Sequence, residues 1–273
     1  MSDAKIITRR PTRLDKKFDL LREKTEKGTL KAASGNRALN KLASNKLALL
    51  GLAFVTIMVL ASVFAPLVTQ YDPQKVDLRM MLKPPSADHI LGTDKIGRDV
   101  FARIIYGGRI SILVGLGSAL GAALIGVSIG AYTAYKGGWL DSTFLRISEV
   151  VMSFPQIILV LMLVTILGQS LMNLIIIFTL TGWGSLYRLT RAQMLSLREE
   201  EYVQALRAFG LNTFTICFKH ILPNALGPIM VNITLSTAMF ILQEAGLSFL
   251  GLGVPLNIPT WGNILNVAQD LRI

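Results

Sequence analysis

The sequence predicts an all-α integral membrane protein, a polytopic helix bundle with five transmembrane spans. Three observations predict it. Of 273 residues, 52% are hydrophobic and 16% charged, against about 25% charged in an average soluble domain. The apolar residues are pooled into charge-free runs long enough for a bilayer core of about 30 Å. The basic excess, a net charge of +11, is concentrated ahead of the first run. Through Lys46 there are 13 Lys and Arg against 5 Asp and Glu, the usual sign of a cytoplasmic flank.

Residues 1–46 form the basic N-terminal tail. Leu14, Phe18 and Leu21 follow an i, i+4, i+7 spacing, so a short amphipathic helix and a disordered tail both fit. The first span is residues 47–68, 22 positions without a charge, ended by Pro66 and by Tyr71-Asp72-Pro73. Residues 69–109 carry both charge signs, and Pro84-Pro85 excludes a continuous helix, so this is an external segment. Residues 110–248 hold the transmembrane core. Its second span, 110–134, contains the pairs Gly117/Gly121 and Gly126/Gly130, whose spacing lets helix backbones approach closely. A short loop follows over 136–149. The stretch 150–187 is charge-free for 38 residues, too long for one span. Gly168-Gln169-Ser170 splits it into spans at 150–167 and 171–187, the first open to a kink at Pro155. Residues 188–222 form a polar loop with a helical pattern, and Pro223 opens a fifth span to about Leu242. After Glu244 the chain is rich in Pro, Gly and Asn, which predicts an external segment with short helical pieces over 249–273 rather than a span.

Charge orients the chain. The side holding the tail, the 136–149 loop and the 188–220 loop carries 20 Lys and Arg, the other side 8. The positive-inside rule places the N-terminus and the 188–222 loop in the cytoplasm.

Several function classes fall away. Nothing matches a groove-reading nucleic-acid module. Cys217 is the single cysteine, which excludes an intrachain disulfide. His89 and His220, 131 positions apart, do not have metal-ligand spacing. No GxxxxGK[ST] phosphate loop occurs, and the GxG of the second span lies inside an apolar run and follows no strand.

The 188–222 loop reads RAQMLSLREEEYVQALRAFGLNTFTICFKHILPNAL with its flanks. Tyr202, Leu206 and Phe209 recur at i, i+4 and i+7, predicting a short amphipathic helix. Gly210 suits the left-handed residue that ends it, Thr213 can cap a second helix, and Pro223 can open the next span. The apolar face is open to two readings, a docking site for another protein or a helix lying on the membrane surface.

These residues resemble the cytoplasmic signature of bacterial ABC-importer permeases, EAA-x3-G-x9-I-x-L-P. Ala205, Gly210, Leu222 and Pro223 match it, while Gln204, Leu206 and His220 depart. The EYVQALRA and KHILPNAL stretches are similar to the oligopeptide/dipeptide permease branch. So are SNKLALLGL, LGTDKIGRDVFARIIYGGRISI and EAGLSFLGLGVPLNIPTWGNIL, which extend the likeness from about Ala43 to Ala268. The resemblance implies the methionine-importer-like transmembrane fold and a pore-forming, non-catalytic subunit of an ATP-driven peptide importer in the bacterial inner membrane. It implies a second permease subunit, two cytoplasmic ATPase subunits that hold ATP and Mg, and an extracytoplasmic peptide-binding protein. It implies that the loop 201–223, through Glu201, Tyr202, Gln204, Ala205, Leu206, Phe209, Gly210, His220, Leu222 and Pro223, couples ATP hydrolysis to alternating access. Close relatives move nickel or glutathione, so these remain alternative substrates. The family also continues into a sixth span, which is therefore expected but missing from this sequence.

Other candidates stay open. Asp94, Arg98 and Asp99 either contact a binding protein or pin local structure. Asn232 and Gln243 line a pathway or bond between helices, as Asn173 does. Glu244, at a span end, is a pathway acid or a solvated or Arg-paired carboxylate. Trp139, Trp183 and Trp261 fall near predicted interfaces. A self-contained secondary transporter needs intramembrane ionisable groups and paired repeats, and a membrane enzyme needs paired carboxylates or metal-spaced His. Neither pattern is present, so no cofactor is expected in this chain.

Overall fold

The computed structural model describes residues 43–269. Contacts divide the chain into two units, 1–56 and 57–273. Within the described residues of the first, the chain enters helix α1, Lys46–Val63, and Ala48 N donates to Asn45 Oδ1 at 3.2 Å. The tail helix considered over 14–21 lies outside the described residues.

The second unit continues from Ile57 with the end of α1, then α2, Ala65–Val68, and a 3-10 turn, Leu78–Met80. Next come α3, Val100–Lys136; α4, Gly138–Ser153; α5, Gln156–Leu167; α6, Leu171–Leu197; and α7, Glu201–Ala208. Last are α8, Thr213–Thr215; a π-helical segment, Ile216–Ile221; α9, Leu222–Phe249; and α10, Trp261–Ala268. Among the described residues there is no strand, only an isolated bridge between Thr93 and Asp99.

Among the described residues, three helical stretches are long and apolar enough to cross a membrane: Lys46–Val63, Val100–Lys136 and Thr213–Phe249. A fourth is added if the bent pair α4 and α5 counts as one. The five crossings expected from sequence require α6 as well. It has 27 residues, enough length, but Asn173, Arg188 and Arg191 dilute its hydropathy.

Several boundaries differ from the sequence reading. The second span begins ten residues earlier, because the Asp99 side chain accepts Ala102 N at 2.6 Å and caps a helix at Val100. The loop expected over 136–149 is helix α4. Pro155 does more than kink: it forces Phe154 into an extended conformation (ψ 138°), and α4 and α5 meet at an angle of 87°. Asn212, not Thr213, caps α8, accepting Phe214 N at 2.9 Å. The loop's second helix runs without interruption into α9. Pro223 has no N–H to give, and the preceding turn widens so that Leu222 N bonds Cys217 O, five residues back.

The core lies where α3 packs on α6. Val114, Ala119, Ala122, Leu174, Ile177, Phe178, Leu186 and Tyr187 form one buried cluster. Gly126 shows why small residues recur there: a Cβ on it would lie 2.5 Å from Trp183 O and 2.9 Å from Tyr187 N. Trp183 is itself part of this core, edge-on to Tyr187, not an interfacial anchor. Trp139 is exposed. A second cluster, Ala131, Ala134, Met194, Val203, Ile216, Cys217 and Ile221, joins the far ends of α3 and α6 to α7 and the π segment.

Candidate functional site

Helix α7 is eight residues long and is held from one side only. Val203 is fully buried in the second cluster and Leu206 leans on it. Tyr202 and Phe209 face outward, Phe209 with 82% of its surface exposed. The outward apolar face is thus Tyr202, Ala205 and Phe209, and Leu206, expected to belong to it, turns inward. Gly210 has φ +74°. Its N–H bonds Arg207 O at 2.9 Å and Leu211 N bonds Leu206 O at 3.3 Å, the paired closure of a helix ended by a left-handed residue. Glu201 and Gln204 are exposed, and Gln204 Nε2 donates to Glu199 O. His220, Leu222 and Pro223 lie beyond the turn, where the π segment becomes α9.

Contacts missed in the sequence fix the angle of α7. Asn224 Nδ2 donates to Tyr202 Oη at 3.2 Å and to His220 O at 3.0 Å. The Arg207 guanidinium stacks over Tyr135 at 5.1 Å, and Arg198 Nη1 donates to Ala134 O at 3.0 Å. Nearby, Arg191 forms a two-bond fork with Asp141, at 2.7 and 2.6 Å. This ties α6 to α4. The signal was available: Asp141 and Arg191 flank apolar runs on the same predicted side.

The triad Asp94, Arg98 and Asp99 turns inward. Asp94 Oδ2 accepts Arg98 Nε at 2.7 Å, and its Oδ1 accepts the backbone N–H groups of Ile96 and Arg98. Asp99, besides capping α3, lies 2.8 Å from His89 Nδ1. All three are more than nine-tenths buried, so these contacts give them a local structural role. Arg103, not singled out in the sequence, is 2% exposed beside Asp94.

Asn232 and Gln243 come together on a groove of about 430 Å³ between the start of α5, α6 and α9. Gln156 Nε2 lies 3.5 Å from Gln243 Oε1. Asn173 instead bonds Leu167 O and Gly168 O, closing the α5–α6 turn. Glu244 is not in the groove, not solvated and not paired with an arginine. Because α9 runs on to Phe249, its carboxyl is fully buried and accepts hydroxyls from Ser111 at 2.8 Å and Ser248 at 2.7 Å.

Comparison with known proteins agrees with this helical architecture. Residues 122–271 match the family of binding-protein-dependent transport system inner membrane components. Residues 35–85 match the N-terminal TM domain of oligopeptide transport permease C. The chain is similar to an oligopeptide transport system permease protein of Bacillus subtilis, 41% identical over 83% of this chain and 74% of the relative. It is also similar to a dipeptide transport system permease protein of Alkalihalophilus pseudofirmus, 42% identical over 85% and 77%. A putative peptide permease protein of Brucella suis is 41% identical over 87% and 78%.

Proposed function

This chain belongs to the binding-protein-dependent transport system inner membrane components, in the oligopeptide and dipeptide permease group of ABC transporters, and on that premise we propose that it is one membrane half of an ATP-driven peptide importer. In this reading its N-terminus and α7 face the cytoplasm, and α6 makes a fifth crossing. A second permease subunit supplies the other half of the pathway. Two ATPase subunits hold ATP and Mg, and an external binding protein delivers the peptide. The chain itself performs no chemistry. It converts closure of the ATPases into movement of its helices.

The observation that carries this reading is the posture of α7. It is anchored through Val203 and Leu206 to the ends of α3 and α6, while Tyr202 and Phe209 stand exposed. A push on the outward face is therefore delivered to the helices that form the core. The test is to purify the complex carrying Phe209→Asp. Loss of a well-packed aromatic contact typically costs about 2 kcal/mol or more, so ATPase co-purification should fall at least tenfold. Substrate uptake should be lost with the membrane subunits still assembled. Normal co-purification and uptake would remove α7 from the coupling path.

A further inference from the structure

The groove beside the α4–α5 break has no charged group among its described lining residues. Its polar positions are amides and hydroxyls: Gln156 on α5, Thr181 and Ser185 on α6, and Asn232, Ser236 and Gln243 on α9. We propose that this groove is the wall that the chain contributes to the substrate path, and that it recognises the peptide main chain while leaving substrate charge unread. The proposal rests on the importer reading above.

Two independent observations support it. The first is the break itself. Backbone that leaves a helix at membrane depth is tolerated only where it is buried in protein or lines a hydrated cavity. Phe154 and Gln156, on either side of Pro155, are exposed and line the groove, so the break opens onto the groove instead of being packed within this chain. The second is the chemistry of the wall. An amide both donates and accepts, as does each peptide unit of a substrate. Gln243 spends its Oε1 on the long contact to Gln156, which leaves its Nε2 and the Gln156 Oε1 without a partner among the described residues. Ser236 Oγ reaches Asn232 Oδ1 at 3.5 Å, which leaves the Asn232 Nδ2 without a partner among the described residues. The volume, about 430 Å³, falls within the usual range of ligand sites.

The experiment uses the complete complex in proteoliposomes loaded with ATP, with saturating binding protein. The probes are three peptides of equal length that differ only in a central Glu, Gln or Lys. In Gln243→Glu and in Asn232→Asp, uptake of the Glu peptide should fall at least tenfold relative to the Lys peptide, against the wild-type ratio. In the double variant Asn232→Leu, Gln243→Leu, uptake of all three should fall by a common factor of about tenfold. An unchanged Glu-to-Lys ratio in assembled, active acidic variants overturns the placement of the groove on the path. Unaltered uptake in the double leucine variant overturns main-chain recognition. If an acidic variant does not assemble, Ser185→Asp, exposed on α6, is measured in its place. A wild-type complex that imports none of the three peptides sinks the importer reading instead.

Discussion

Glu244 fastens more than its own helix. Ser111 Oγ donates to its Oε2 and accepts the N–H of Trp261 at 3.2 Å. Ser248 Oγ donates to its Oε1 and accepts the N–H of Val254 at 3.3 Å. One buried carboxyl thereby holds α3, α9, the start of α10 and the loop between them. Replacing it with Ala strands two buried hydroxyls, at about 1–3 kcal/mol for each group left unsatisfied. Glu244→Ala should therefore destabilise this region by about 2–6 kcal/mol, and Glu244→Gln by less, because one acceptor survives. Hydrogen exchange should report it as faster exchange at the Trp261 and Val254 amides in Glu244→Ala. Unchanged exchange at both would mean that the carboxyl is not what holds the loop. None of this was legible in the sequence. Glu244 directly follows an apolar run and so reads as its solvated end, and Ser111 lies 133 positions away. Asp99 at the head of α3 was more legible as a capable residue than as a cap, because the local bond to Ala102 fixes a helix start that charge counting had placed ten residues later.

At the scale of an element, α7 was the best-read part of the chain. The apolar spacing of Tyr202, Leu206 and Phe209 and the turn at Gly210 both follow from local rules. Which side of the helix faces inward does not. Leu206 satisfies the outward stripe and the inward one equally, and only the buried partners of Val203, contributed by α3, α6 and the π segment, decide between them. Gly210 then gives a test of the helix's setting that spares its contacts. A Cβ there would meet nothing within 4 Å, so within this chain the effect of substitution is backbone strain. At φ +74°, Gly210→Val costs about 1–3 kcal/mol. The last turn of α7 should fray, and its amides should exchange faster. The α3–α6 core should keep its protection, and ATP hydrolysis by the complex should lose its coupling to uptake. Gly210→Ala, with a smaller penalty at the same φ, should lie between. If Val and Ala variants transport at the wild-type rate, the left-handed turn is not part of the coupling geometry. The α4–α5 corner shows the opposite case: Pro155 was visible in the sequence, but whether a proline bends or breaks a helix depends on what receives the freed backbone groups.

At the scale of the whole molecule, the sequence located the apolar segments because membrane insertion is decided by composition over about 20 residues, a local property. The sequence reading counts a crossing over 171–187, which length and hydropathy alone do not assign to α6, because the same helix packs the protein core and carries polar residues. Orientation is the remaining global property, and it rests on the distribution of Lys and Arg, 20 against 8. Single cysteines test it directly. Cys217 is fully buried and should be silent toward a hydrophilic thiol reagent, and Cys217→Ser gives a background free of it. Asp88 and Glu200 are both exposed, one ahead of α3 and the other between α6 and α7. In intact cells Asp88→Cys should react with a membrane-impermeant maleimide and Glu200→Cys should not. In inverted vesicles the pattern should reverse. Between these two positions the proposed map has α3, the bent pair α4–α5, and α6, an odd number of crossings, so the two sites must lie on opposite sides. If α6 did not cross, the count would be even and both cysteines would label from the same side. The same parity results if the bent pair α4–α5 re-enters the side it left, so the experiment tests the number of crossings between the two sites as well as orientation. Labelling of both from outside, or of both from inside, would overturn the five-crossing map by removing a crossing at α6 or at the bent pair.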